Sequence, residues 1–398
     1  GICAQRLGDP QEAWAYFEQA IAVQEKALGP DHPNLANTLN SLAVLAQEEA
    51  DYSYARPLLE RALAIDEKVY GPDHPNVASI LTNLGLLLWR TADYLEARAV
   101  LERSIDIKER AFGPDHLDVS YPLCNLSNVL HDIGDYPAGL AMAQRALAIQ
   151  EKALGPDHPA IAFRLNNLGD FLRHTRDYSG ARAALERALA ILDEALGPGA
   201  PESAMLLNTL AALAVEEGKH GEAKALFERA VQYKEKAFGP DHPETALSLS
   251  NLAIALADTG DHEAALPLYE RSLKIVEERL GPEHPELIRN LGALSESLLQ
   301  LGRPAEALGL ALRAAELRRE NARLTMRTLS ERRALDFVAL QNVGLGVTLS
   351  VAALHPDAVP DAAQRAWDAV IRSRALVLEE MAWRHRSIVG AGEPELEG

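Results

Sequence analysis

Asp73–His74, Asp157–His158 and Asp241–His242 each stand in a Gly-Pro-Asp-His-Pro block. A carboxylate beside an imidazole is the raw material of a metal site or a general acid–base pair. Either chemistry needs its groups to converge on one ion or one reacting atom, and the spacing of the block works against that. Its Gly-Pro pair recurs at 29, 71, 113, 155, 197, 239 and 281, always 42 residues apart. A fixed period of this size marks a stack of repeated helical units. Neighbouring His copies then lie one helix pair apart, roughly 16–20 Å if each packed helix adds 8–10 Å. Adjacent copies cannot share an ion held by bonds of about 2 Å. One copy carries Ala200 in place of His, as a structural column tolerates. Read as punctuation, the block explains itself: Gly155 closes one helix in a left-handed cap and Pro156 prevents its continuation. Asp157 caps the next helix, and Pro159 sits in its first turn. In the sixth copy Asp241 precedes Glu244 by three residues, the pattern of a capping box.

Other candidates for chemistry are weaker. Cys124 is a potential nucleophile, but it shares its column with Asn40, Thr82, Asn166 and Asn208. No activating His accompanies it, which favours packing. "HEAAL" at 262–266 lacks the second His of a zinc helix. "GLGVTLS" at 344–350 lacks the third glycine of a dinucleotide loop, and no GxxxxGK[ST] phosphate loop occurs. No catalytic site, metal site or cofactor is expected.

The elements that position these residues are helices in pairs. Ile80, Leu81, Leu84, Leu87 and Leu88 recur at helical spacing, and so do Ala97, Val100, Leu101, Ser104 and Ile105 after the break "TADY". Asp93, Asp135 and Asp261 are placed to cap the second helix of each pair. Positions 13, 55, 97, 139, 181, 223, 265 and 307 are all Ala or Gly, and those seven further on are all Ala or Ser. Such small residues let neighbouring helices approach closely. An all-α, right-handed superhelical solenoid of antiparallel helix pairs follows.

The series Leu84-Gly85, Leu88, Ala97, Leu101, Ser104 has the spacing of the tetratricopeptide repeat, and the 42-residue unit resembles its kinesin light chain type. "RALAIQEKALGPDHP" (145–159) and "LNNLG" (165–169) carry that likeness over about residues 1–320, with departures at "GPGAP" (197–201) and Ala293. In such arrays the first helix of each pair lines a concave groove. One column on it reads Ser41, Asn83, Asn125, Asn167, Thr209, Asn251, Ala293. Asn offers both a donor and an acceptor, so a ladder of them can grip an extended backbone. The resemblance implies cargo-peptide contact at Asn83, Asn125, Asn167 and Asn251. The same side chains can instead tie adjacent helices together, and both readings stand. Tyr121 and Phe163 lie one turn earlier. Asn128 and Asp170 share the face, and Trp89, Arg90, Arg173 and His174 lie two turns on. This set suits a peptide with an apolar anchor and an acidic neighbour, while Glu216 and Asp258 favour a basic stretch.

Residues 303–386 hold 13 Arg against 10 Asp and Glu, and 387–398 hold three Glu, so the net charge of −19 resides in residues 1–302. Such a surface disfavours nucleic acid and anionic membrane. Cys3 and Cys124 make no disulfide framework, which points to a reducing, cytoplasmic setting. Gly1 aligns with Gly85, so the chain is expected to begin inside a helix with further sequence before it. The period fails after 320. Residues 321–388 read as a helical connector with a weak point at Gly344 and Gly346, a break at "HPDAVP" and a last helix capped by Asp361. Residues 389–398 read as a flexible acidic tail. "LSERRALDFVA" and "AWDAVIRSRALVLEEMAWRHR" (366–386) resemble the segment leading into the CHAT domain of tetratricopeptide–CHAT proteins. CHAT domains are caspase-like, and neither the His nor the Cys of their peptidase members maps onto this chain. The resemblance implies the protein-binding sensor or scaffold region of a larger bacterial protein, with the effector in cis beyond Gly398. The alternative is a stand-alone adaptor that joins two proteins.

Overall fold

The structure is a computed structural model and describes residues 10–49, 51–328, 345–373 and 375. The chain divides into two compact units, residues 1–191 and 192–398. The first holds α1 (Pro10–Leu28), α2 (Pro33–Glu48), α3 (Tyr52–Tyr70), α4 (Pro75–Arg90), α5 (Tyr94–Phe112), α6 (Leu117–Asp132), α7 (Tyr136–Leu154) and α8 (Pro159–His174). Helix α9 (Tyr178–Leu196) ends that unit and begins the next. The second holds α10 (Ser203–Glu216), α11 (His220–Phe238), α12 (Pro243–Asp258), α13 (His262–Leu280), α14 (Glu286–Gln300), α15 (Pro304–Thr328) and α16 (Gly346–Leu354). Residues 362–373 are also helical, and no strand occurs among the described residues.

Helices pack in consecutive pairs: α2 on α3, α4 on α5 and α6 on α7 in the first unit, then α10 on α11, α12 on α13 and α14 on α15. The fold is the expected all-α solenoid of helix pairs. The small columns sit where helices meet. Ala55, Ala97, Ala181, Ala265 and Ala307 are wholly buried, as are Ala62, Ser104, Ala188, Ala230 and Ser272. Gly139 fills the same column for a steric reason: a Cβ there would lie 2.4 Å from Cε1 of Phe171, itself fully buried. Ser104 donates to the carbonyl of Ala78 at 2.7 Å, and Ser272 donates to that of Ala246 at 2.7 Å, so neither hydroxyl is left unsatisfied inside.

The Gly-Pro-Asp-His-Pro block is structural, with a different division of labour from the expected one. The cap is the histidine. Nδ1 of His32, His74, His116, His158 and His242 each accepts the backbone N–H two residues on at 3.2 Å. An aspartate is the commoner capping residue, but here the imidazole reaches that N–H from an extended backbone at the N-cap. The aspartates lie outside on the surface instead: Asp73 pairs with Arg110 at 3.1 Å and Asp115 with Lys152 at 3.2 Å. Glu244 pairs with Lys234 at 2.8 Å while its N–H goes to His242, so no capping box forms with Asp241. Gly155 has φ 92° and ψ 151°, a mirror-extended conformation rather than the left-handed helical one. Second helices are capped as expected by Asp135 and Asp261, whereas Asp93 holds the N-cap position without a capping bond. An arginine staple ties layers together. Arg103, Arg145 and Arg187 each reach a glutamate 36 residues back and the Gly-Pro carbonyl 31 residues back.

Helix α15 continues through residue 320 without a break. Val351 of α16, Val359 and Ala362 bury against Leu308. Trp367 and Ile371 on the following helix stay exposed. The residues before Pro10, those at 329–344 and the tail 389–398 lie outside the described residues, as does the expected end of the last helix near Arg386.

Candidate binding face of the first helices

In the first unit, α4, α6 and α8 bury the apolar stripe that their 3.6-residue period builds and leave a second stripe uncovered. On α6 that stripe is Tyr121, Asn125, Asn128, His131 and Asp132. On α8 it is Phe163, Asn167, Asp170, Arg173 and His174. Tyr121 is 47% and Phe163 39% exposed, in successive layers of one column. Asn125, Asn128 and Asn167 are half-buried beside them.

Side chains 43 residues apart, one period plus one, meet across the layers. Asn83 donates to Oδ1 of Asn40 at 2.9 Å, the inter-layer tie that was one of two readings of this column. Asn125 makes only a long contact, 3.5 Å, with the carbonyl of Thr82. Trp89 donates its indole N–H to Asp132 at 2.7 Å, and Arg90 donates to the carbonyl of Gln47 at 2.9 Å. Arg90 remains exposed. In the second unit Asn251 is half-buried and accepts from Arg289 at 3.3 Å.

The charged end of the face is a closed cluster. Nε2 of His131 lies 3.1 Å from Oδ2 of Asp170, and Arg173 donates to Oδ1 of Asp170 at 2.7 Å. Arg173 also lies 2.9 Å from Nε2 of His174. Nδ1 of His131 is 3.0 Å from Oδ1 of Asp132. Tyr136 stacks flat on His174 at 4.6 Å. Burial alone would push the Asp170 carboxyl up, but hydrogen bonds from His131 and Arg173 outweigh it and hold the group at about 2. The hydrogen bond to Asp170 in turn pushes the His131 imidazole up, against its own burial. Asp170, Arg173 and His174 are thus brought together as one unit with His131, a convergence that motif spacing did not reveal. The signal was the 43-residue offset between the two histidines. Arg173 is spent on Asp170, which leaves Arg90 as the cation open to an acidic neighbour. Cys124 is 6% exposed and burial pushes its thiol up, so packing accounts for it.

Helix pairs repeated every 42 residues, with an uncovered face on the first helices, define the class as a repeat scaffold. The tetratricopeptide repeat pattern matches residues 1–68, 47–110, 77–138, 118–194, 201–278 and 249–320, and the chain belongs to the tetratricopeptide repeat family. No curated protein matches it significantly. Among solved structures it is similar to the apo form of RapI, at 13% identity over 71% of this chain and 97% of that one, with a TM-score of 0.54. It is also similar to a tetratricopeptide repeat protein of Parabacteroides merdae, at 15% identity over 71% and 93%, with a TM-score of 0.50. The TPR-like repeats of a Podosopora anserina protein assigned to the kinesin light chains align at 22% identity over 52% and 98%, with a TM-score of 0.46. At these identities the likeness is one of fold. That fold is typically a non-catalytic scaffold for protein–protein interaction. Among the described residues no helix is long and apolar enough to cross a membrane.

Proposed function

We propose that the chain is a peptide-binding scaffold and that the uncovered face of α4, α6 and α8 grips an extended partner segment. One observation carries this reading. Tyr121 and Phe163 stand exposed in register, one turn before Asn125 and Asn167, which places aromatic anchors beside amides able to pair with a peptide backbone. Asn83 is taken up by Asn40, so the grip falls on Asn125 and Asn167. The preferred ligand is an apolar anchor with an acidic neighbour directed to Arg90. The test is selection from a displayed peptide library on the tag-free chain. Asn125→Ala with Asn167→Ala, or Tyr121→Ala with Phe163→Ala, should cost at least about tenfold in affinity for the selected peptide, at unchanged helix content. Unaltered affinity in both double variants would sink the groove.

The finer reading makes this face the cytoplasmic sensing arm of a larger bacterial protein. The partner would fix the curvature of the repeats and reposition residues 321–388 against a CHAT-type effector in cis, a population shift. The sequence likeness of 329–339 and 366–386 to the CHAT-preceding segment supports it. Intact mass and a peptide map of the native protein decide the matter. A chain extending a domain's length past Gly398, with a His and a later Cys, favours the sensor. A chain ending near Gly398 makes the protein a stand-alone adaptor.

A further inference from the structure

His131, Asp170 and His174 form more than an ion-pair cluster. Each offers one ligand atom, and the three atoms lie within 4.8 Å of one another. Nε2 of His131 is 3.1 Å and Nε2 of His174 3.8 Å from the same carboxylate oxygen, Oδ2 of Asp170. Two donors on a tetrahedral ion with bonds of about 2.0–2.1 Å stand about 3.4 Å apart, so these separations bracket what a single ion needs. Asp170 and His174 are one turn apart on α8, and His131 comes from the end of α6, so an ion here would bridge two layers.

The surroundings are those of a ligand set held in place. Asp132 engages Nδ1 of His131, and its other oxygen accepts from the Trp89 indole, which turns Nε2 of His131 toward the cluster. A carboxylate behind a ligating imidazole is the usual device for orienting it. Tyr136 stacks on the His174 ring, and the edges of Phe171 and His174 abut His131 at 5.5 and 5.0 Å. Arg173 supplies a second indication. A guanidinium only donates, so its contact with Nε2 of His174 means that this nitrogen presents its lone pair to the cluster, as a metal would require. Arg173 thereby fills a cation's place between His174 and Asp170.

We propose that His131, Asp170 and His174 form a binding site for one divalent transition-metal ion of the zinc, cobalt or nickel class, with Arg173 as the cation it displaces. Two imidazoles and one carboxylate favour that class over magnesium or calcium, which prefer all-oxygen shells. The ligands are half-exposed, so water can complete the shell. The site stands whether or not the groove reading holds, because no partner enters the argument.

The experiment uses the tag-free chain, stripped with a chelator and titrated with Co²⁺ and with Zn²⁺. One equivalent of Co²⁺ should give a visible d–d spectrum that Zn²⁺ abolishes stoichiometrically. His131→Gln and His174→Gln should each weaken binding at least about tenfold, and Asp132→Asn by a similar factor through loss of orientation. Arg173→Met, which keeps bulk and removes the competing charge, should tighten it. Far-UV circular dichroism of the metal-free variants checks that each is folded. Absence of saturable binding to the wild-type chain overturns the proposal. So does binding that survives both histidine variants, since the ion then lies elsewhere, for instance at the capping histidines. Should a histidine variant fail to fold, Arg173→Met still decides: binding that it leaves unchanged or weakens contradicts displacement of the guanidinium.

Discussion

On the first helices of residues 75–191, one half-buried column reads Trp89, His131, Arg173; in residues 192–328 the same column reads Val215, Ala257, Leu299. The column before it runs Leu86, Asn128, Asp170 in the first unit and Ala212, Ile254, Glu296 in the second. The second helices open with Tyr94, Tyr136 and Tyr178 in one, and with His220, His262 and Pro304 in the other. One turn before the Asn column the exposed residues are Asn37, Ser79, Tyr121 and Phe163 in the first unit and Met205, Leu247 and Arg289 in the second. The small-residue column between packed helices does not diverge this way: Ala97 and Ala181 answer to Ala223 and Ala265, all at or near zero exposure. The distance between packed helices constrains what is inside, and no such distance constrains the open face. In these columns the first unit carries polar side chains that bond between layers, and the second carries mostly aliphatic ones beside Arg289 and Glu296. The same scaffold therefore offers two surfaces of different chemistry.

The largest expected effect tests where the two units differ inside. Gly139 is the one glycine in a column of alanines because Phe171 occupies the space of its Cβ. Ala255 holds the matching position opposite Ala223 in the second unit, and the smaller side chain leaves room for that Cβ. Gly139→Ala should destabilise the first unit by about 2–3 kcal/mol through overpacking. Adding Phe171→Leu should recover most of that loss, although Phe171→Leu alone is destabilising. Urea denaturation of the single and double variants measures the coupling. Additive losses would mean that the contact is not what keeps Gly139 a glycine.

A smaller effect concerns charge. Asp66 is 1% exposed, and neither carboxylate oxygen has a hydrogen-bond partner, whereas the same column in the second unit holds Leu192, Lys234, Val276 and Arg318, with no acid among them. Burial pushes the Asp66 carboxyl up, with nearby His74 opposing it. Since the folded-state value is raised, the penalty is absent below the unfolded-state value of about 3.9 and grows as pH rises through the folded one. The His74 imidazole close by offsets part of the penalty, which keeps it modest. Asp66→Asn should stabilise the chain by about 1 kcal/mol at neutral pH. The difference from wild type should close near about pH 3, where both side chains are neutral. Denaturation at the two pH values checks it, and a difference independent of pH would show that the charge is not the cause.

Much of the fold was legible because a 42-residue period needs no interpretation, and because Ala or Gly at columns such as 97 and 139 has few uses besides close helix approach. The site was less so. Asn83 and Asn125 are chemically able either to tie layers or to bind a peptide, and only the distance to Asn40 or Thr82 separates the two roles. His131 and His174 are 43 residues apart, which reads as near-equivalence in the repeat until the one-residue offset is seen to make them neighbours. Asp157 was expected to cap α8 because aspartate caps far more helices than histidine does. The alternative depends on a backbone angle at His158 that residue types do not state.

That histidine yields the finest comparison. His158 accepts the N–H of Ala160, and α8 runs for 16 residues from Pro159. In the second unit Ala200 stands in its place, and α10 has 14 residues, beginning only at Ser203 without a side-chain cap. Loss of the imidazole therefore goes with loss of about half a turn. His158→Ala should cost about 1 kcal/mol, and the Ala160 amide should exchange faster, as the first residues of α8 fray toward the α10 start. The reverse change, Ala200→His, should give back much less. Gly199 holds φ 90°, and the N–H groups of Ser203 and Ala204 already bond the carbonyls of Ala200 and Pro201, so a new imidazole has less to cap there. Hydrogen exchange at the two helix starts measures both. Equal and opposite effects would mean that the side chain alone sets where the helix begins, while a large loss with little gain would place that control in the loop backbone.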